Sequence, residues 1–287
     1  LLSTLILVTS LYLTAKKWDV DYRLFLVIAL VTPYALTFSV LEGTEAMALS
    51  MILLAAYFWP SSYSGIFFGL SFLTRYTSIL FFPLVLFLER PNLKQLILTG
   101  VLFLLTVSPW LAYNYLEKGD PFYSPYGSYK FNVQARTGHY QSLDLMNFLV
   151  PGAFYSLIVL LGMVKTEKKK LKDYFWFAFL ALVIISYVLL PLRSMRYLYL
   201  AIVPIAYFAT LWLEKQKNKY HIIALLIVAN VAVAYLAGAF LAEESNAGYA
   251  NIAEVLKKDD CPVISNAWPF LNYYSVAATH IPEREET

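Results

Sequence analysis

Ten apolar runs follow one another along the chain, at 1–14, 24–41, 46–59, 64–74, 77–88, 95–110, 146–164, 174–192, 197–213 and 220–241, each cut from the next by a short charged or polar cluster. Residues of the Leu, Ile, Val and Phe type on every side of so many segments have no water-facing surface to alternate with. A soluble globule of 287 residues needs polar side chains to cover itself, yet only 14% of these residues are charged, against roughly 25% in an ordinary soluble domain. Lipid accepts apolar side chains on the outside of a helix, provided the backbone satisfies its own hydrogen bonds. The pattern therefore predicts an all-α polytopic membrane protein with about ten membrane-embedded helical segments.

Lysine and arginine distribution orients these segments. Lys16, Lys17, Arg23, Arg90, Lys94, Lys165, Lys168, Lys169, Lys170, Lys172, Lys215, Lys217 and Lys219 fall on one side of an alternating path and mark it as cytoplasmic. Glu42, Glu45, Arg75, a long polar and aromatic loop at 111–145, Arg193, Arg196 and the C-terminal tail then lie on the extracytoplasmic side. The runs 46–59, 64–74 and 77–88 are shorter than the roughly 20 residues needed to cross about 30 Å of hydrocarbon. They are expected to pair as short helices whose junctions sit below the membrane surface. The organisation predicted is a transmembrane domain over 1–241 and an extracytoplasmic segment over 242–287. In the latter, 250–258 has helical periodicity, 262–265 is a strand candidate and 269–278 suits a further helix, as at the start of a small α/β unit.

Several classes are excluded or weakened. A formal net charge of +3 is too small to argue for a nucleic-acid partner, and a single cysteine, Cys261, rules out an intrachain disulfide and a cysteine metal site. The chain opens at Leu1 inside an apolar run, without a basic n-region or cleavage site, which predicts an incomplete first span.

Charged groups at helix ends are the informative residues here, because lipid makes them costly. Glu42 and Glu45 are three apart at one junction, share a face if the helix continues through them, and could orient a hydroxyl acceptor or take a divalent cation. A first-turn helix charge explains Glu45 equally well. Arg75 interrupts an apolar stretch from Ile66 to Leu88 and could hold a phosphate oxygen, the alternative being snorkelling to the surface. Arg193 and Arg196, followed by Tyr197, make a plausible phosphate clamp or an interfacial anchor. His139 is the one histidine of the long loop, where a general base or ligand role competes with none at all. Tyr113, Tyr115, Tyr123, Tyr126, Tyr129 and Tyr140 suit an interfacial belt and would also suit stacking on sugar.

The order of these features resembles the C-type glycosyltransferase superfamily, and within it the dolichyl-phosphate-mannose protein mannosyltransferase-like branch. The resemblance rests on the run from Ser39 through Glu42 to Glu45, a short apolar helix, the run from Gly65 through Arg75 to Ser78, and a second short apolar helix. It extends to Ser108-Pro109-Trp110 through Asn114 with Gly119-Asp120-Pro121, to Arg196-Tyr197 ahead of Pro204, and to 251–256 and 263–265 in the tail. It implies many spans and an outward-facing cavity at the plasma membrane, part of the cell envelope. There a sugar would pass from a polyprenyl-phosphate-linked donor to a protein, lipid or glycan acceptor, by inverting direct displacement.

By the same resemblance Glu45, and less surely Glu42, matches the acidic outer-loop position, while Arg75, Arg193 and Arg196 match the positive groups beside the lipid phosphate, with Tyr197 and His139 as further substrate-side candidates. That family's presumed catalytic aspartate lies in an outer loop that would precede Leu1, so the resemblance implies that it lies outside this sequence. Two readings from other classes stand beside this one: a transporter or flippase for a lipid-linked sugar, and a non-catalytic membrane subunit. Transporters concentrate charge near the bilayer midplane, whereas here it gathers at one rim.

Overall fold

The computed structural model describes residues 2–32, 35–36, 43–132, 158–163, 171–189, 195–233, 235, 263–264 and 278–279. The described residues are overwhelmingly helical, and the contacts divide the chain into one unit over Leu1–Val231 and another over Ala232–Thr287. In the second unit, strands β1 (Val263–Ile264) and β2 (Ala278–Thr279) pair in parallel, Val263 opposite Ala278. Ala278 thus lies in a strand rather than at the end of a helix.

The first unit begins with α1 (Leu2–Trp18) and α2 (Tyr22–Val31). Asp21 caps α2 by accepting from the amides of Arg23 at 2.9 Å and Leu24 at 3.4 Å. Within the run expected to reach Leu41, helix α2 ends at Val31, where Thr32 leaves helical geometry ahead of Pro33, and Ala35 and Leu36 are helical again. A residue before proline is pushed out of the α region by the ring, which is the physical reason for the break.

Helices α3 (Gly43–Phe58) and α4 (Ser64–Thr74) form an antiparallel pair, with α1 against α3 and α5 (Leu93–Lys118) against α4. Glycines make the α4 to α5 approach close. A Cβ at Gly65 would sit 2.1 Å from the Thr99 carbonyl oxygen, and one at Gly69 would sit 2.7 Å from the Thr106 Cβ. Small residues four apart on a helix are the usual means of bringing backbones together in lipid, where no hydrophobic force separates helix from solvent. Ser71 Oγ ties α4 to α3 by donating to the Ala48 carbonyl at 3.1 Å.

Between α4 and α5 the segment Tyr76–Phe87 is a 3₁₀ helix, not an α-helix. Pro83 lies inside it and has no amide to donate, so an α ladder would be interrupted there in any case. Side chains three apart eclipse one another in this geometry, and Ser78, Phe81 and Leu84 form the buried row. The change of helix type also changes length. At about 2.0 Å per residue these 12 residues reach roughly 24 Å, the same as the 16 residues of α3 at about 1.5 Å. The two segments therefore run side by side with their ends in register. At one end Arg75 meets Glu45, and at the other the Trp59 indole N–H donates to the Glu89 carbonyl at 2.8 Å.

Helix α5 is capped by Asn92 and Gln95 in a reciprocal capping box and is 26 residues long. It is the one helix among the described residues long and apolar enough to cross a membrane alone, and most of its surface is exposed. Seven shorter apolar helices accompany it. The segment expected to be loop from Leu111 onward is helical instead: α5 continues through Pro109 to Lys118, and α6 (Tyr123–Asn132) follows after a short turn. Pro109 costs a single backbone hydrogen bond, which a long packed helix tolerates, and the true stop is Gly119, whose left-handed φ of 72° is a glycine cap.

Helix α7 (Leu171–Leu189), a 3₁₀ turn at Met195–Ala201, α8 (Ile202–Leu213) and α9 (Lys219–Val233) complete this unit. Its densest packing is aromatic. Trp18 of α1 lies 5.0 Å from Trp176 and 5.6 Å from Phe175 of α7, and Trp176 lies 5.8 Å from Tyr207 of α8. The buried Tyr207 hydroxyl donates to Asp173, so the acid in the first turn of α7 has a partner inside the core.

Candidate active site

Glu45 sits in the first turn of α3 and Arg75 at the break between α4 and the 3₁₀ helix. Folding brings them into an ion pair, Arg75 Nη1 to Glu45 Oε1 at 2.5 Å, with the Glu45 side chain 2% exposed and that of Arg75 17% exposed. Thr44 Oγ1 donates to the other carboxylate oxygen at 2.9 Å. Glu45 thus occupies the first turn of α3, where the helix dipole favours an anion, and also engages Arg75. Arg75 is partly buried, and its charge has a carboxylate partner.

Tyr197, at the start of the last 3₁₀ turn, lies beneath the guanidinium, with the Arg75 Cζ 5.1 Å from its ring centroid. A guanidinium over an aromatic face keeps a flat orientation, with its edge presented sideways. Two cavities open at this edge. The first, about 260 Å³, lies between three rows of side chains at a spacing of three: Thr77 and Leu80 of the 3₁₀ helix, Val183, Ser186 and Leu189 of α7, and Tyr197 and Leu200. Phe81 closes its base, and apart from Arg75 its wall is largely hydrocarbon. The second, about 460 Å³, shares Arg75, Thr77, Leu80 and Tyr197 but is walled on its far side by Pro125, Ser128 and Tyr129 of α6.

The second wall is held by residues that the sequence motif contains. Asn114 of α5 donates from Nδ2 to the Pro121 carbonyl at 3.2 Å and accepts from Ser124 Oγ at 2.7 Å, while Asp120 accepts from the Phe122 amide at 2.8 Å. These bonds fold α6 back across the end of α5. Trp110 Nε1 reaches the Tyr76 hydroxyl at 3.2 Å and ties α5 to the residue after Arg75.

A model of the EpsG family matches residues 1–252. The chain belongs to the EpsG family. Neither the curated proteins nor the solved structures contain a match. EpsG proteins are membrane glycosyltransferase-like and work with lipid-linked sugars, so this chain is a helical membrane protein of that kind. The family match carries the coarse expectation from sequence and does not extend to the protein mannosyltransferase-like branch.

Of the residues singled out in the sequence, Glu45, Arg75 and Tyr197 converge in this EpsG-family structure. Glu42, His139 and Arg193 lie outside the described residues, as does the side chain of Arg196, whose backbone is in the 3₁₀ turn with Tyr197. Among the described residues no three His, Cys, Asp or Glu side chains gather to hold a metal. Thr77, Ser186 and Ser128 carried no signal of their own in the sequence. A spacing of three would have grouped Thr77 with Leu80 only once the segment was known to be 3₁₀.

Proposed function

We propose that the protein transfers a sugar from a polyprenyl-phosphate-linked donor to an acceptor on the extracytoplasmic face of the membrane, by inverting direct displacement. The observation that carries this reading is Arg75, a partly buried cation fixed between Glu45 and Tyr197 at the mouth of a hydrocarbon-lined cavity. A lipid phosphate needs that combination, a positive group for its oxygens and an apolar channel for its isoprenoid chain. The row of Val183, Ser186 and Leu189 facing Thr77 and Leu80 offers the channel. Of the acceptors open to the sequence, a glycan fits best the O-antigen ligase or polymerase type of the family.

In the transfer, an acceptor hydroxyl attacks the anomeric carbon as the bond from that carbon to the phosphate oxygen breaks. The acceptor proton passes to a carboxylate, and the departing phosphate gains negative charge. Arg75 stabilises that charge, the more strongly where hydrocarbon of the cavity wall rather than water surrounds it. Glu45 holds Arg75 in place from behind the cavities and is one acidic candidate for that proton; Glu42, three residues earlier in sequence, is the second. Arg193 and Arg196 belong with the same phosphate in this reading.

The test is transfer of radiolabelled sugar from a synthetic polyprenyl-phosphate donor in membranes carrying the full-length protein. Arg75→Ala is expected to lower the rate by about 10²-fold or more, as loss of a charge-stabilising donor does. Arg75→Lys restores part of it. An Arg75→Ala protein that folds and retains the wild-type rate would remove the assignment. Passage of the donor across the bilayer without product would favour the transporter reading instead.

A further inference from the structure

The second cavity is also mostly apolar but carries more polar groups than the first. Among aliphatic side chains its wall carries the ring of Tyr129 and the hydroxyls of Thr77 and Ser128. At about 460 Å³ it lies within the 300–1,000 Å³ range of small-molecule sites. Pro125, Ser128 and Tyr129 are at positions i, i+3 and i+4 of α6, so one face of that helix supplies the far wall. Arg75 is the one charged side chain among the described lining residues, and Glu45 already balances it.

From this the geometry points to a subsite for an uncharged pyranose, stacked on Tyr129 and bonded through its hydroxyls to Thr77 and Ser128. An aromatic ring matches the apolar C–H face of a pyranose, and hydroxyl side chains both donate and accept as sugar hydroxyls require. A uronic acid would add a further anion beside a single cation, Arg75, that already serves Glu45 and, in the proposed reaction, the lipid phosphate, and burying that extra carboxylate with no cation left for it is costly. The cavity therefore selects neutral hexoses and N-acetylhexosamines over uronates, and Tyr129 supplies the stacking face on which the pyranose binds. The subsite rests on the proposed transfer reaction for its biological meaning, since a pyranose beside Arg75 belongs either to the donor or to a glycan acceptor. Its existence as a binding site does not depend on that reaction.

The experiment is saturation-transfer NMR on the full-length protein in lipid nanodiscs, with methyl glucopyranoside, methyl N-acetylglucosaminide and methyl glucuronide as probes, and undecaprenyl phosphate as a separate probe. Wild type is expected to transfer saturation to the two neutral glycosides and not to the glucuronide. Tyr129→Ala should weaken neutral-glycoside binding by roughly fivefold to tenfold, and Tyr129→Trp should restore it. Because Tyr129 is 55% exposed, its truncation leaves the core intact. Silence from the neutral glycosides, equal binding of the glucuronide, or unchanged binding in Tyr129→Ala each overturns the subsite. Glycoside binding without undecaprenyl-phosphate binding keeps the subsite and removes the lipid-phosphate reading; the reverse keeps that reading and removes the subsite. In the transfer assay, a raised KM for donor in Tyr129→Ala assigns the pyranose to the donor, and a raised KM for acceptor assigns it to the acceptor.

Discussion

Glu45 and Arg75 are shielded from water to such a degree that each depends on the other. Removing one partner of a buried pair strands an uncompensated charge, whereas removing both leaves only a packing defect. Glu45→Ala is accordingly expected to lower stability by about 3–5 kcal/mol, read as a lower unfolding midpoint in detergent. Glu45→Ala combined with Arg75→Ala should recover most of that loss while transfer stays absent. Recovery of stability without recovery of activity separates the pair's part in holding the helix ends together from its part in chemistry. A double variant as unstable as the single would show that the two side chains do not offset one another. The sequence made both residues conspicuous because lipid penalises charge. It left open whether they meet, since contact between positions 30 apart depends on how the intervening helices turn.

Where a segment ends, and in which helical form, proved harder to read than that it is apolar. The run after Arg75 was expected to be a short α-helix; as a 3₁₀ helix it gains length from the same residues and matches α3 end to end. That match sets Arg75 beside Glu45 and Glu89 beside Trp59 at once. Hydropathy cannot distinguish the two forms, because both are apolar throughout and the difference lies in backbone rise. The motif from Ser108 to Pro121 was visible as a pattern, but its role is structural. Asn114 and Gly119 turn the chain so that α6 can face the cavity. Asn114→Ala removes two hydrogen bonds, worth about 1–3 kcal/mol together, and is expected to loosen α6 without unfolding the bundle. The measurement is transfer rate against circular dichroism: activity falls severalfold while helix content and the midpoint of α5-containing core unfolding change little. Unchanged activity would detach α6 from the site.

The helix ends of Leu1–Val231 sort into two groups. Lys17 Nζ donates to the carbonyls of Ala56 and Tyr57, both at 2.9 Å, and to that of Trp59 at 2.5 Å, closing the C-terminus of α3 with a cation where the helix dipole favours one. The Asp21 amide donates to Glu214 at 2.6 Å on α8's exit. These are the ends that the lysine and arginine distribution places in the cytoplasm. Glu45, Arg75, Tyr76, Trp110 and Tyr197 form the other group, separated from the first along α3 by roughly 18 Å, or 12 residues at about 1.5 Å each. Single cysteines introduced in a Cys261→Ser background test the orientation. Thr44→Cys and Tyr126→Cys are expected to react with an impermeant maleimide on intact cells, and Asn92→Cys and Lys215→Cys only after permeabilisation. Labelling of both pairs from one side would defeat the extracytoplasmic assignment.

The amino-acid order alone pointed to lipid, to helical segments and to the few charges that lipid would make costly, because transfer of each residue type between water and hydrocarbon is a local property. It also singled out Glu45, Arg75 and Tyr197 one by one. Their convergence, the division of the space beside them into two cavities of which the second is the more polar, and the recruitment of Ser128 and Tyr129 came from packing. Those features depend on backbone rise, on glycine-permitted approach of α4 to α5, and on a turn held by Asn114, none of which is a property of any single stretch of sequence.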